Sequence, residues 1–283
     1  MKQEELYPEL RAHGNDLYDI NVIAKEIVAY TKDSPENVWR KLAQELDHNG
    51  TNVISETKRF DVTPHVFNQS MINFYTNSDG FIYETCIESR HPYRISKWLR
   101  IAAFMEAGLK QGARKVLVYG DSVGNDCIFL KRMGFDVSYH DYDSYCSRFA
   151  KERFKHRNLQ ISSFLPGSKE VFDYVICFEV AEHVPDPVAL VAELADLTAP
   201  KGYCIFSESF GLIAPQFPTH IQTNVAFVGR DDELFAKHGM HVEWRDDHNK
   251  PIVYTRHPSA NRSRQRRGIL SKIKRKLRAA YRG

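Results

Sequence analysis

Three aspartates around one short glycine-bearing turn have the types and spacing to do chemistry. Asp121 and Asp126 stand within GDSVGND, and Asp141 lies 17 residues beyond Gly124. A carboxylate about 20 positions after such a turn is placed to hydrogen-bond ribose hydroxyls. The turn lacks the G-x-G-x-x-G spacing of pyrophosphate loops, and two negative charges there have the wrong sign for dinucleotide phosphates. They suit a cationic sulfonium instead, which favours S-adenosylmethionine over NAD. Positioning these groups requires a strand, a turn, a helix and a second strand. Lys115 to Tyr119 is an apolar run suited to a buried parallel strand, and Gly120 and Gly124 let the backbone approach a ligand closely. A helix is predicted from near Asp126, with Ile128, Phe129 and Met133 on one face and Gly134 ending it. The strand FDVSYHD then closes on Asp141.

Four segments carry a family resemblance: VLVYGDSVG, VSYHD, FDYVICFEVAEHVPDP and PKGYCIFSES. Between about Lys115 and Gly211, and more loosely to Trp244, the chain resembles the class I S-adenosylmethionine-dependent methyltransferases. The third segment is the most specific, since Glu182, His183, Val184 and Pro185 stand where the family has its turn after the fourth strand. The resemblance implies an α/β fold, a Rossmann-like, doubly wound, mainly parallel seven-stranded sheet. It also implies S-adenosylmethionine as cofactor and S-adenosylhomocysteine as product. The cofactor contacts it implies are Gly120, Asp121, Ser122, Gly124, Asp141, Tyr142, Ser163 and Glu179. The chain departs from the pattern at Val118, where the family usually has an acidic residue, and at Ser122, where it usually has the middle glycine.

Methyl transfer from a sulfonium to a hydroxyl is an in-line displacement that also needs a proton acceptor. His220, in the loop SESFGLIAPQFPTHIQTN after the fifth strand, is the first candidate base, and FPTHI resembles a loop of sugar-hydroxyl methyltransferases. His183 is the second, with Glu182 beside it to orient the imidazole. Glu179 and Glu208 lie near strand ends and could meet substrate hydroxyls or the cofactor's amino group. His140 precedes Asp141, but neighbouring strand residues point to opposite faces, so no metal is expected.

Residues 1–110 read as a helical lid and substrate region, 111–255 as the methyltransferase domain, and 256–283 as a basic tail. Helices are predicted from Leu17 to Tyr30, after the Ser34 cap and Pro35, and from Pro92 to Ala107. Between the last two, an aromatic and polar segment from Phe60 to Arg94 shows little periodicity and reads as a lid. Tyr75, Tyr83, Glu84 and Arg94 are its candidates for holding a polar acceptor, with His91 beside them.

The formal charge of +3 conceals an asymmetry: residues 256–283 carry 11 Lys or Arg and no Asp or Glu. Within it, Ile269, Ile273, Leu277 and Tyr281 recur every fourth residue opposite a basic stripe, the pattern of an interfacial helix over 262–283 on an anionic membrane surface. Nucleic acid is the rival partner, although one aromatic in the tail is a poor stacking platform. Five cysteines without metal or C-x-x-C spacing read as reduced packing residues. The N-terminus has no hydrophobic signal region, so a cytoplasmic protein, peripheral at a membrane, is expected. The resulting reading is O-methylation of a hydroxyl on a glycan or lipid-linked saccharide precursor. An RNA methyltransferase and a non-catalytic, membrane-recruited cofactor-binding module are the alternatives.

Overall fold

The computed structural model describes residues 15–245 and 251–256. Seven strands, β1 (Lys115–Tyr119), β2 (Asp136–His140), β3 (Ser162–Ser163), β4 (Phe172–Phe178), β5 (Thr198–Ser207), β6 (His241–Arg245) and β7 (Ile252–Thr255), form one sheet. Their spatial order is β3-β2-β1-β4-β5-β7-β6. Neighbours from β3 to β5 pair in parallel, and β7 runs antiparallel to both β5 and β6. This is the mainly parallel doubly wound sheet expected above. The predicted basic helix of 262–283 falls outside the described residues.

Strand alternation divides the core into two. Val116, Val118, Tyr174, Ile176 and Ile205 face one side, where they pack with Trp98, Ile101, Phe129, Leu130 and Phe154. Their neighbours Leu117, Val175, Cys177, Cys204 and Phe206 face the other, against Leu190, Val191, Leu194 and Phe235. Residues i and i+2 of a strand share a face, so a buried parallel strand needs apolar side chains at every position. All five cysteines are buried and free, as expected of packing residues.

The N-terminal region folds as α1 (Ile20–Thr31), α2 (Pro35–Asp47), α3 (Thr51–Arg59), α4 (Gln69–Asn77), α5 (Gly80–Glu88) and α6 (Pro92–Leu109). Ser34 Oγ accepts from Asn37 N, with Pro35 at the first helical position. The Phe60–Arg94 segment differs from its expected irregular lid, because it holds α4 and α5. Each is only 9 residues long, and their apolar side chains bury against neighbours rather than forming one long stripe. Asn68 caps α4 by accepting from Met71 N. After β1 come α7 (Asn125–Arg132) and α8 (Tyr145–His156), with α9 (Pro187–Leu197) and α10 (Asp231–Ala236) on the opposite face.

Candidate active site

The carboxyl ends of β1, β2, β4 and β5 open into a cavity of about 910 Å³, roofed by α4 and α5 and walled by the start of α6 and the loop after β5. This is the sheet edge where the strand order reverses between β1 and β4, the place where doubly wound folds bind ligands. The volume is at the upper end of the ligand-site range, enough for a cofactor and an acceptor together.

Local backbone geometry shapes the floor. Gly120 and Gly124 both adopt φ +78°, and an added Cβ would lie 2.3 Å from Val180 Cγ2 in the first case and 2.5 Å from the Phe154 ring in the second. Ser122 between them also has positive φ, +48°. Two contacts hold it: Ser122 N donates to Asp141 Oδ2 at 2.6 Å, and Tyr139 Oη donates to Ser122 O at 2.9 Å. The turn is thereby tied to the carboxylate that follows β2. Burial raises Asp141 to about 6, against the opposing amides of Ser122 and Tyr142.

Asp121 lines the cavity, but its carboxylate accepts from Asp126 N at 3.1 Å and Cys127 N at 2.7 Å, so it caps α7. Burial and the neighbouring Asp126 charge push Asp121 well up, and burial raises Asp126 to about 6 despite Arg94 and Lys97. Glu179, at φ +53°, accepts from Lys97 Nζ at 3.3 Å, from Ser207 Oγ at 2.6 Å and from Ser209 Oγ. Burial pushes its carboxyl up, but Lys97, Arg94 and the two serine hydroxyls hold it well below the usual range.

Two imidazoles meet on the far wall. The ring centroids of His183 and His220 are 4.7 Å apart at 89°, and His220 stacks on Phe217 at 5.0 Å. His183 Nδ1 lies 3.2 Å from Thr219 O and 3.2 Å from Tyr75 Oη. Burial and His220 hold His183 down at about 3, and burial lowers His220 as well. Asn224 Nδ2 donates to Val184 O at 2.9 Å and Ala181 O at 3.1 Å, clamping the β4 turn to the loop after β5. His65 Nδ1 bonds His220 O at 2.9 Å and so joins the lid to that same loop.

Residues 89–257 match a family model described as a methyltransferase domain. The chain belongs to the class I S-adenosylmethionine-dependent methyltransferases. Over 111 residues the methyltransferase is 32% identical to the ubiquinone biosynthesis O-methyltransferase of Psychrobacter cryohalolentis, covering 36% of this chain and 42% of that protein. A protein of the same name from Paracidovorax citrulli is 38% identical over 53 residues, 19% of this chain and 22% of that one. The match thus spans under half the length of these curated relatives. The CcbJ methyltransferase of Streptomyces caelestis is 15% identical and covers 55% of this chain and 88% of its own, at a TM-score of 0.42. An O-methyltransferase from a Brevibacillus brevis trans-AT PKS multienzyme, solved with S-adenosylhomocysteine, is 16% identical over 46% of this chain and 47% of that one, at 0.36.

The methyltransferase's cavity fits a cationic cofactor by its charge. Asp126, Asp141, Glu88 and Glu179 line it as acidic groups, while burial pushes Asp121 and Glu182 toward their neutral forms; Arg94 stands among them and Lys97 is buried at its floor. Gly120, Ser122, Asp141, Tyr142 and Glu179 come together as the sequence implies, whereas Gly124 lies outside the cavity, where its missing side chain makes room for the Phe154 ring. Ser163 does not, because β3 is only two residues long and exposed there, and Phe164 turns inward instead. Tyr75, Glu84 and Arg94 line the cavity, with Arg94 paired to Glu88 at 3.1 Å. Tyr83 does not line it: it is fully buried among α1, α2 and α5, with Lys41 Nζ 4.8 Å from its ring centroid. His91 caps α6, its Nδ1 accepting from Tyr93 N at 3.3 Å.

Sequence reasoning missed Lys97, His65 and the clamping role of Asn224. Lys97 had a signal, since it sits four residues before Ile101 and eight before Met105 on the buried stripe of α6. His65 and Asn224 act through loop contacts that no local pattern encodes. The expectation of no metal weighed the cysteine spacing and His140 beside Asp141, whereas the fold gathers a different set: Glu182, His183 and His220. Among the described residues no helix is long and apolar enough to cross a membrane.

Proposed function

We propose that this methyltransferase transfers a methyl group from S-adenosylmethionine to a hydroxyl of a saccharide, on a glycan or lipid-linked precursor presented at the cytosolic face of a membrane. The observation that carries this reading is the His183–His220 pair on the wall of the cavity that also contains the glycine turn and Asp141. Burial keeps both imidazoles neutral at pH 7, the state in which a ring nitrogen accepts a proton. His183 Nδ1 is engaged by Thr219 and Tyr75, whereas His220 Nδ1 is buried without a partner. His220 is therefore the base that takes the acceptor's proton.

When bound, S-adenosylmethionine supplies an electrophilic methyl group on a cationic sulfur. Asp141 would accept from its ribose hydroxyls, and Asp126, ionised above about pH 6, would offset its positive charge in place of the acidic residue absent at Val118. Tyr75 and Phe81, stacked at 5.6 Å and 2°, offer an apolar face to a sugar ring. Glu84 is raised to about 8 by burial, and then by Glu88 and Glu45, so it is protonated at pH 7 and able to donate to a sugar hydroxyl. The O-methyltransferase names of the relatives support oxygen as the acceptor atom. The tail's basic and apolar stripes support delivery at an anionic membrane surface.

Labelled methyl transfer to a panel of saccharide acceptors tests the reading. His220→Ala should bind cofactor normally and lose about 10²-fold or more in turnover. Unchanged turnover would remove His220 from the mechanism.

A further inference from the structure

We propose that Glu182, His183 and His220 together bind one divalent transition-metal ion beside the acceptor position. One ligand atom from each residue lies within 4.8 Å of the others, on a wall of the cavity. Donors around an ion at about 2.0–2.2 Å stand somewhat closer than this, so small side-chain rotations complete the site.

An independent observation points to a ligand here. Glu182 is 1% exposed, and neither carboxylate oxygen has a hydrogen-bond partner. Buried carboxylates are costly unless paired with a cation or a donor set. His220 Nδ1 is buried and unpartnered as well. The adjacent carboxylate is unlike this one, for Glu179 is already satisfied by Lys97, Ser207 and Ser209.

The surroundings have the form of a metal site's outer shell. Ligating histidines usually donate their second ring N–H to a carbonyl, which fixes the ring. With its Nδ1 directed at Thr219 O, His183 has Nε2 left as the ligand nitrogen. Asn224 and the Ile221 N to Glu182 O bond at 2.9 Å hold the turn that carries two ligands against the loop that carries the third. Two imidazoles and one carboxylate favour Zn²⁺, Co²⁺, Mn²⁺ or Fe²⁺ over Mg²⁺ or Ca²⁺, which prefer oxygen ligands.

Three protein ligands leave positions open toward the cavity. The role of the ion rests on the O-methyl transfer proposed above, but its binding does not. An acceptor hydroxyl on the ion would give its proton to solvent at lower pH. The oxygen's electron pair would then form the O–C bond while the C–S pair stays on sulfur. The base role given to His220 above is its role in the metal-free protein; in the loaded protein His220 is a ligand and the ion takes over deprotonation.

The test is titration of the full-length, chelator-treated protein with Co²⁺, read by its visible d–d absorption and by calorimetry. One equivalent should bind the wild type, and Glu182→Gln and His220→Gln should each weaken binding by more than about 10²-fold. His156→Gln, an exposed histidine outside the cluster, should bind like wild type. No stoichiometric Co²⁺ binding, or binding retained in both cluster variants, would overturn the proposal. S-adenosylmethionine binding measured on the same samples separates the cases: cofactor binding without Co²⁺ binding defeats this inference alone, and loss of cofactor binding in wild type defeats the functional reading.

Discussion

Lys97 Nζ lies 3.3 Å from Glu179 Oε1 and 2.7 Å from Ser207 Oγ, joining α6 to the ends of β4 and β5 beneath the cavity. The lysine is 1% exposed. Burial lowers it, and the Glu179 charge opposes that shift. Lys97, Ser207 and Ser209 together hold the Glu179 carboxylate on the cavity wall.

Lys97→Met should therefore destabilise the protein by about 3–5 kcal/mol, because it leaves a buried carboxylate without its cation. Adding Glu179→Gln should recover a large part of that loss. Chemical denaturation of the single and double variants checks this, and equal stability of Lys97→Met and wild type would show that the pair does not hold the floor together.

Asp141 gives a pH dependence whose sign is defined. Its folded value of about 6 is above the usual 3.8, so the fold binds this proton more tightly than the unfolded chain does. The cofactor-free protein should gain stability as pH falls from about 6 toward 4. Cofactor affinity should move the other way, since ribose hydroxyls need the ionised carboxylate, and Asp126, also at about 6, adds attraction of the same sign for a cation. Calorimetry between pH 7.5 and 5 should show affinity falling by up to about tenfold per unit below 6. Flat affinity over that range would contradict the assignment.

Deleting residues 262–283 should release the protein from anionic liposomes and spare activity on a soluble acceptor fragment. The 11 basic residues of 256–283 make salt-sensitive attraction the expected mode. Liposome association that survives the deletion would contradict the membrane proposal. Salt-sensitive RNA binding by the intact protein, lost with the tail, would favour the RNA methyltransferase reading instead.

The sheet was legible because its strands are buried on both faces and read as apolar runs, Lys115–Tyr119 and Phe172–Phe178 above all. The helix start at Ser34-Pro35 was legible from capping chemistry that is local in sequence, and the helix from Pro92 from its apolar face, while the His91 cap was not. The lid was harder. Tyr75 and Tyr83 are eight residues apart on consecutive short helices, and only docking decides that one faces the cavity while the other enters the core. Ser163 rests on the family resemblance alone, and the two-residue β3 leaves it exposed and outside the cavity. The Glu182–His183–His220 cluster depends on the β5 loop folding back, which Asn224 and His65 secure over contacts of 40 and 155 residues. Such contacts leave no periodicity to read.

The most direct measurement is calorimetric titration of the full-length protein with S-adenosylmethionine and S-adenosylhomocysteine, beside Asp141→Ala. Micromolar binding of both ligands to wild type, and its loss in the variant, is the predicted result. No binding to wild type would contradict the central claim and make the departures at Val118 and Ser122 marks of a non-catalytic module.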